Sequence, residues 1–301
     1  MADSSRAVMQ SHESKVSSAL VKAFEQWTTP FDIRPEGVFG SVATVTCEQV
    51  TISSEALDLE FTVPFDDDME PNEAEIIVYN LSENTIKQLK KGAALSITAG
   101  YKGDTGVIFT GYISKVKTEF EEVDKVTTIY ALDDIKERTV ANMAFSEGAK
   151  ASYILKKLLD RTGIPIAVFK VRRDHTYKDS QTVDGDLMEN IKRYADVCGI
   201  SCYVSGGKIY ARYITEGDNL NFDVSSDTGM IGSPSAFTEE RTAADFTDTV
   251  EGYKVEMLLQ HRLSAGAIVT LTSKNANGTY RVCSGEHRFS PDEAVTVAKM
   301  Y

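Results

Sequence analysis

The chain has 301 residues, of which 42% are apolar and 26% charged, with a net charge of −13. That length exceeds one ordinary domain, so two or three are expected, and the composition is that of a globular protein. The acidic balance argues against holding a nucleic-acid backbone, which needs a Lys/Arg surplus. No apolar run approaches the ~20 residues needed to span a bilayer. Met1–Ser5 lacks the basic and apolar regions of a signal peptide, so synthesis and retention in the cytoplasm are expected.

Residues 6–27 show helical periodicity: Val8, Val16, Ala19, Leu20, Ala23, Phe24 and Trp27 recur at spacings of three, four and seven. This amphipathic helix packs either on its own body or on a neighbouring subunit. Pro30 and Pro35-Glu36-Gly37 then read as a linker. From Val38 the pattern becomes β. Leu57–Val63 alternates as a half-buried strand does, and Pro64 is expected to end it. Asp66-Asp67-Asp68 and Glu70-Pro71 read as a solvated acidic loop, since the spacing, central Gly and closing Glu of an EF-hand are missing. Ile76–Tyr79 is a short strand. Ser82 then caps a helical turn that Gly92 is expected to stop. Leu95–Tyr101, Val107–Val116 and Val126–Leu132 supply three more strands, the first two joined by a Gly-rich turn over 102–106.

Residues 143–217 differ. Ala151–Asp160 is an amphipathic helix stopped at Gly163 and Pro165, Leu187–Cys198 is a second one closed by Gly199, and Cys202–Ala211 is a hairpin with a Gly-Gly turn. Asp218–Pro234 is polar and turn-rich and reads as a connection. Strands return at Tyr253–Met257, Ala267–Thr272, Thr279–Gly285 and Val295–Lys299. Boundaries follow: 1–36 for the N-terminal helix and linker, 37–142 for a first β domain, 143–217 for a small α+β domain, and 218–301 for a second β domain. The fold class is α+β, mainly antiparallel β.

An internal repeat links the two β domains. Leu89–Thr98 aligns with Leu263–Thr272, 174 positions later, and the ungapped register also pairs Thr105 with Thr279, Ile108 with Val282 and Gly111 with Gly285. Self-similarity of this kind points to duplicated β modules, and so to assembly rather than catalysis.

Chemistry is sparse. Phosphate-cradling, dinucleotide and HExxH motifs are missing. Ser114-x-x-Lys117 and Ser205-x-x-Lys208 match SxxK but fall on a strand and in a hairpin turn, where Ser and Lys do not share a helix face. Cys47, Cys198, Cys202 and Cys283 read as reduced, buried residues; the sharper alternative is a zinc site from Cys198, Cys202, Cys283 and His287. Of the four histidines (His12, His175, His261, His287), His287 sits beside Glu286, where it is either a general base or a structural residue at a strand end. No catalytic, cofactor or metal residues are assigned.

The run Glu75–Ser82, then Leu95–Tyr101, then Ile108–Ile113 resembles the first barrel of baseplate hub proteins of contractile phage tails and related tail-like particles. Thr228–Pro234 resembles the connection into that family's second barrel. Leu263–Thr272 with Gly278–Val282, Glu286 and His287 resembles the second barrel's end. The matches span most of 38–300; the N-terminal helix lies outside the pattern. The resemblance implies two tube-like β-barrels per chain and a homotrimer with pseudo-sixfold symmetry. Such a ring adapts a hexameric tail tube to a trimeric central spike, contacts other baseplate (wedge) proteins, and lets a tape-measure protein or DNA pass through its channel. It implies a place in the virion or tail-like particle, without cofactor or sequence-specific nucleic-acid binding. The alternative is a tail-associated cell-wall hydrolase or other enzyme domain.

Overall fold

The computed structural model describes residues 40–133, 140–243 and 246–301. The helix expected over residues 6–27 falls outside the described residues. Strands form where apolar residues alternate. β1 (Ser41–Cys47) and β2 (Val50–Ser53) make a hairpin, followed by β3 (Leu59–Asp66) and β4 (Glu73–Tyr79). In β3, Leu59, Phe61 and Val63 are buried while Thr62 is exposed; in β4, Ala74, Ile76 and Val78 are buried. Ser82 caps the one-turn α1 (Glu83–Ile86) by accepting a hydrogen bond from the Thr85 N–H at 3.1 Å. The helix ends before Gly92, which instead sets the turn into β5 (Ala94–Tyr101). A two-residue turn, shorter than expected, leads to the long β6 (Asp104–Glu121), and β7 (Asp124–Leu132) follows.

The intervening segment builds its own core. β8 (Val140–Phe145) pairs with β10 (Gln181–Asp186), and β9 (Ile166–Phe169), β11 (Ser201–Ser205) and β12 (Lys208–Arg212) form a three-stranded sheet. Between them lie α2 (Ala151–Arg161) and α3 (Leu187–Cys198), whose apolar stripes meet: Ile154, Leu155, Leu158 and Leu159 against Ile191, Tyr194 and Cys198. Asp186 caps α3 and Gly199 closes it at φ +67. The Gly206-Gly207 turn adopts positive φ at both residues, as a type I′ hairpin requires.

The expected connection at 218–234 is structured. β13 (Asp218–Val224) buries Phe222 and Val224 and runs parallel to β16 (Ala267–Thr272). A 3₁₀ turn at Ser226–Thr228 then enters β14 (Met230–Ala243). β15 (Phe246–Leu258), β17 (Asn277–Phe289) and β18 (Ala294–Met300) complete the second β module.

The two β modules share one strand order. The first reads β3-β4-β7-β6-β5-β1, and the second β14-β15-β18-β17-β16-β13. Gly92 and Gly266 hold φ +80 and +81. Each donates a backbone hydrogen bond into the partner strand, Gly92 to Ile113 O at 2.7 Å and Gly266 to Val282 O at 2.9 Å. The strand-switching bulge also recurs, between Ile113 and Lys115 and between Val282 and Ser284. These pairs correct the ungapped register. Leu89–Thr98 does correspond to Leu263–Thr272, but the second hairpin tip is shorter, so Ile113, not Ile108, is the counterpart of Val282. From there residues correspond at a spacing of 169, as in Phe120 with Phe289 and Thr127 with Thr296. Gly111 corresponds to Tyr280, and Gly285 to Val116.

Both modules belong to a single 13-stranded sheet, because β3 pairs with β17 from Phe61↔Phe289 to Asp66↔Ser284. Pro64 therefore does not end β3. Beyond Thr62 the strand has lost β4 and keeps only β17, so one missing N–H is tolerated.

Candidate functional site

The β3–β17 seam is where the chain joins two similar units, and its two faces differ. On one face Phe61 stacks on Phe289 at 5.3 Å between ring centroids, Val63 faces His287, and Phe65 lies over Gly285. A side chain at Gly285 has no room: its Cβ would fall 2.3 Å from the Val297 carbonyl and 2.5 Å from the Phe65 ring. The other face carries Thr62, Pro64, Glu286 and Arg288, with Arg288 in ion pairs to Glu286, Glu293 and Glu256.

His287 is 2% exposed. Its Nδ1 lies 2.8 Å from Thr296 Oγ1, its ring 5.0 Å from that of Phe65, and it is bonded to the Leu263 backbone. Burial, reinforced by nearby His261, pushes it down from 6.5 to about 3. Folded His287 is thus neutral where the unfolded chain takes up a proton, so the stability it confers is complete above pH 6.5 and shrinks as pH falls toward 3. Asp66 acts in the opposite sense: burial and Asp68 raise its carboxyl to about 6, so its contribution grows as pH falls from 6 to 3.8. His287→Gln is expected to flatten the acid limb of the melting temperature between pH 6.5 and 4, at a cost of about 1–2 kcal/mol at pH 7. Thermal melts at pH 4, 5, 6 and 7 measure this, and an unchanged slope refutes it. The imidazole is shut off from solvent beside Thr296 and packs into the seam.

Beside the seam, Asp67 anchors the first module to the second. Its side chain is 3% exposed and pairs with Arg281 on β17 at 2.5 Å and with Arg241 on β14. Arg281 is held in turn by the Glu216 carbonyl at 2.9 Å and the Tyr301 hydroxyl at 3.3 Å. The acidic loop is therefore only partly solvated: Asp68 is exposed, but Asp67 is a buried counter-ion. A second clasp joins the modules through Asp104, which lies 3.0 Å from His261 Nε2 and 2.6 and 2.8 Å from the Arg262 guanidinium. The hydrogen bond with His261 and the contacts with Arg262 hold its carboxyl well below the usual range, against the opposing pull of burial. Tyr101 adds a hydrogen bond to the Ala294 carbonyl at 2.8 Å. The insertion is tied to the second module by Arg212, 3% exposed, which bonds Tyr203 Oη and both oxygens of Asp218.

The remaining sequence candidates are separated. Cys198 and Cys202 belong to the insertion core, and Cys283 and His287 to β17. Burial raises the Cys198 thiol to about 11 and that of Cys202 to about 12. Among the described residues no group of three or more His, Cys, Asp or Glu is placed to hold a metal ion. Ser114 bonds Glu73 and the Tyr130 carbonyl, while Lys117 pairs with Glu119. His175 packs edge-on against Tyr177; His12 lies outside the described residues. Among those residues no helix is long and apolar enough to cross a membrane.

Comparison with known proteins gives a consistent picture. The family described as Baseplate hub gp41 matches residues 71–290. The sequence is matched by no curated protein. A tail protein from Neisseria meningitidis MC58 superimposes with a TM-score of 0.62 at 10% identity, covering 87% of this chain and 96% of that one. The 43 kDa tail protein of prophage MuSo2 from Shewanella oneidensis gives 0.61 at 8%, covering 86% and 97%. An E. coli component of the type VI secretion system, described as structurally similar to T4 bacteriophage tail proteins gp27 and gp5, gives 0.58 at 9%, covering 85% and 76%.

Proposed function

We propose, from the premise that this chain belongs to the baseplate hub gp41 family, that three copies form a pseudo-sixfold ring joining a hexameric tail tube to a trimeric spike. The family places the chain among structural components of the tail baseplate. The ring is the finer reading, and one observation carries it: a single chain holds two β modules of the same strand order, already joined edge to edge. Three such chains supply six comparable units, which suits a sixfold tube on one side and a threefold spike on the other.

In this reading, residues 37–142 and 218–301 are the ring units, and 143–217 is an outlying domain available to wedge proteins. The channel passes a tape-measure protein or DNA, and the acidic chain offers such cargo little to adhere to. The chain acts by geometry. His287, the most plausible general base in the sequence, is neutral and enclosed, so it supports the structural reading over the hydrolase.

Class-averaged electron microscopy of the purified full chain at high concentration tests the proposal. The expected image is a threefold ring of six lobes around an open channel. Particles of any other symmetry, or monomers alone up to millimolar concentration, overturn it.

A further inference from the structure

We infer that a second copy of this chain adds its β14 to the outer edge of β6, in the register of the internal seam. This rests on the ring reading and specifies its joint. Within one chain, β17 is flanked by β18 and by β3 of the other module. Its counterpart β6 is flanked by β7 beyond Tyr112, and no other strand among the described residues covers that stretch. The counterpart of β3 is β14, which ends the sheet with β15 on one side only. The chain thus carries one joined pair of edges and the two free edges that match it.

The register follows from equivalent positions. Thr62 faces Glu75 as Ser235 faces Lys254, which carries β3 onto β14 at a spacing of 173. β6 is carried onto β17 at 169. The seam pair Phe65↔Gly285 then becomes Thr238↔Val116, and Asp66↔Ser284 becomes Glu239↔Lys115.

Three independent features agree with this joint. The first is burial. Phe289 is 5% exposed under Phe61, whereas Phe120, its counterpart, is 76% exposed. A large aromatic in the open at a position that is core in the duplicate marks a missing neighbour. The second is size. The seam sets a large Phe65 against a glycine; the new joint sets a medium Thr238 against a medium Val116, so bulk is redistributed and room is kept. The third is charge, since Lys115 comes to face Glu239 across strands, a favourable cross-strand pair. Lys115 and Lys117 also keep the β6 edge from accepting indiscriminate strands.

The test uses the full chain carrying Val116→Cys and Thr238→Cys, oxidised mildly at a concentration where it is trimeric. The four native cysteines are buried and stay out of the reaction. Non-reducing gels are expected to show covalent dimers and trimers at least tenfold above a control with Val116→Cys and Phe237→Cys, whose second thiol lies on the opposite face. Phe120→Asp, at an exposed position, is expected to raise the trimerisation midpoint concentration at least tenfold with the melting temperature unchanged. A ring by microscopy with no preference for the 116–238 pair overturns the register while the ring stands. Absence of both ring and cross-link overturns the two together.

Discussion

Asp67→Asn is expected to lower stability by about 3–5 kcal/mol, and the melting temperature by about 10 °C. Asp67 lies between two strands in a loop, so the substitution disturbs no β-ladder, and Asn keeps its volume. What it removes is the shared counter-ion of Arg281 and Arg241, whose side chains are 4% and 15% exposed. Leaving a guanidinium buried without its carboxylate costs far more than losing an exposed ion pair, which is worth under about 1 kcal/mol. Arg281 keeps the Glu216 carbonyl and the Tyr301 hydroxyl, both neutral acceptors that do not offset its charge. Calorimetry decides: a loss below about 1 kcal/mol means that the pair is solvent-screened and the clasp is incidental.

Gly285→Val is expected to open the seam, at a cost of about 3 kcal/mol or more. The obstacle on one side is backbone, the Val297 carbonyl 2.3 Å from the new Cβ, and backbone in a paired strand does not yield. On the other side Phe65 is held between β3 and His287. The expected signature is a lower denaturant midpoint together with a tyrosine and phenylalanine near-ultraviolet signal that melts before the far-ultraviolet one. Val116→Ala, at the counterpart position where a half-buried valine packs on the first module's core, meets no backbone obstacle and is expected to cost only about 1 kcal/mol. Equal losses in the two variants contradict the seam as described.

Much of the fold was legible because half-buried strands write their face into the chain. β3, β4, β5 and β7 alternate cleanly, and α2 and α3 carry apolar stripes closed by glycines. The elements that escaped lack such a signal. Among its described side chains β14 buries none fully: most are exposed, and only Met230, Pro234, Phe237 and Arg241 are half-buried, so no alternating apolar face reveals it. β13 hides Phe222 and Val224 among Asp and Asn. The repeat is visible in the sequence, but the register of its second strand is not, because a shortened hairpin tip shifts every later residue while the spacing of glycines still looks right. The buried role of Asp67 could not be read at all: it sits in an acidic run, and its partners lie 174 and 214 positions away. His287 stands out in the sequence for its chemistry, but its enclosure by Phe65 and Thr296 is a property of the sheet junction and invisible locally.

In the proposed ring, Phe65 seated over a glycine also guards fidelity. A duplicated module invites exchange: β3 of one molecule could invade the β6 edge of another, giving run-on polymers. That error would drive the phenyl ring of Phe65 onto Val116, where the legitimate seam offers it the bare backbone of Gly285. The mismatch penalises the wrong pairing without weakening the right one, which is how discrimination between near-identical edges is achieved. In the proposed ring the two joints are separate locks, so each edge admits only its own partner.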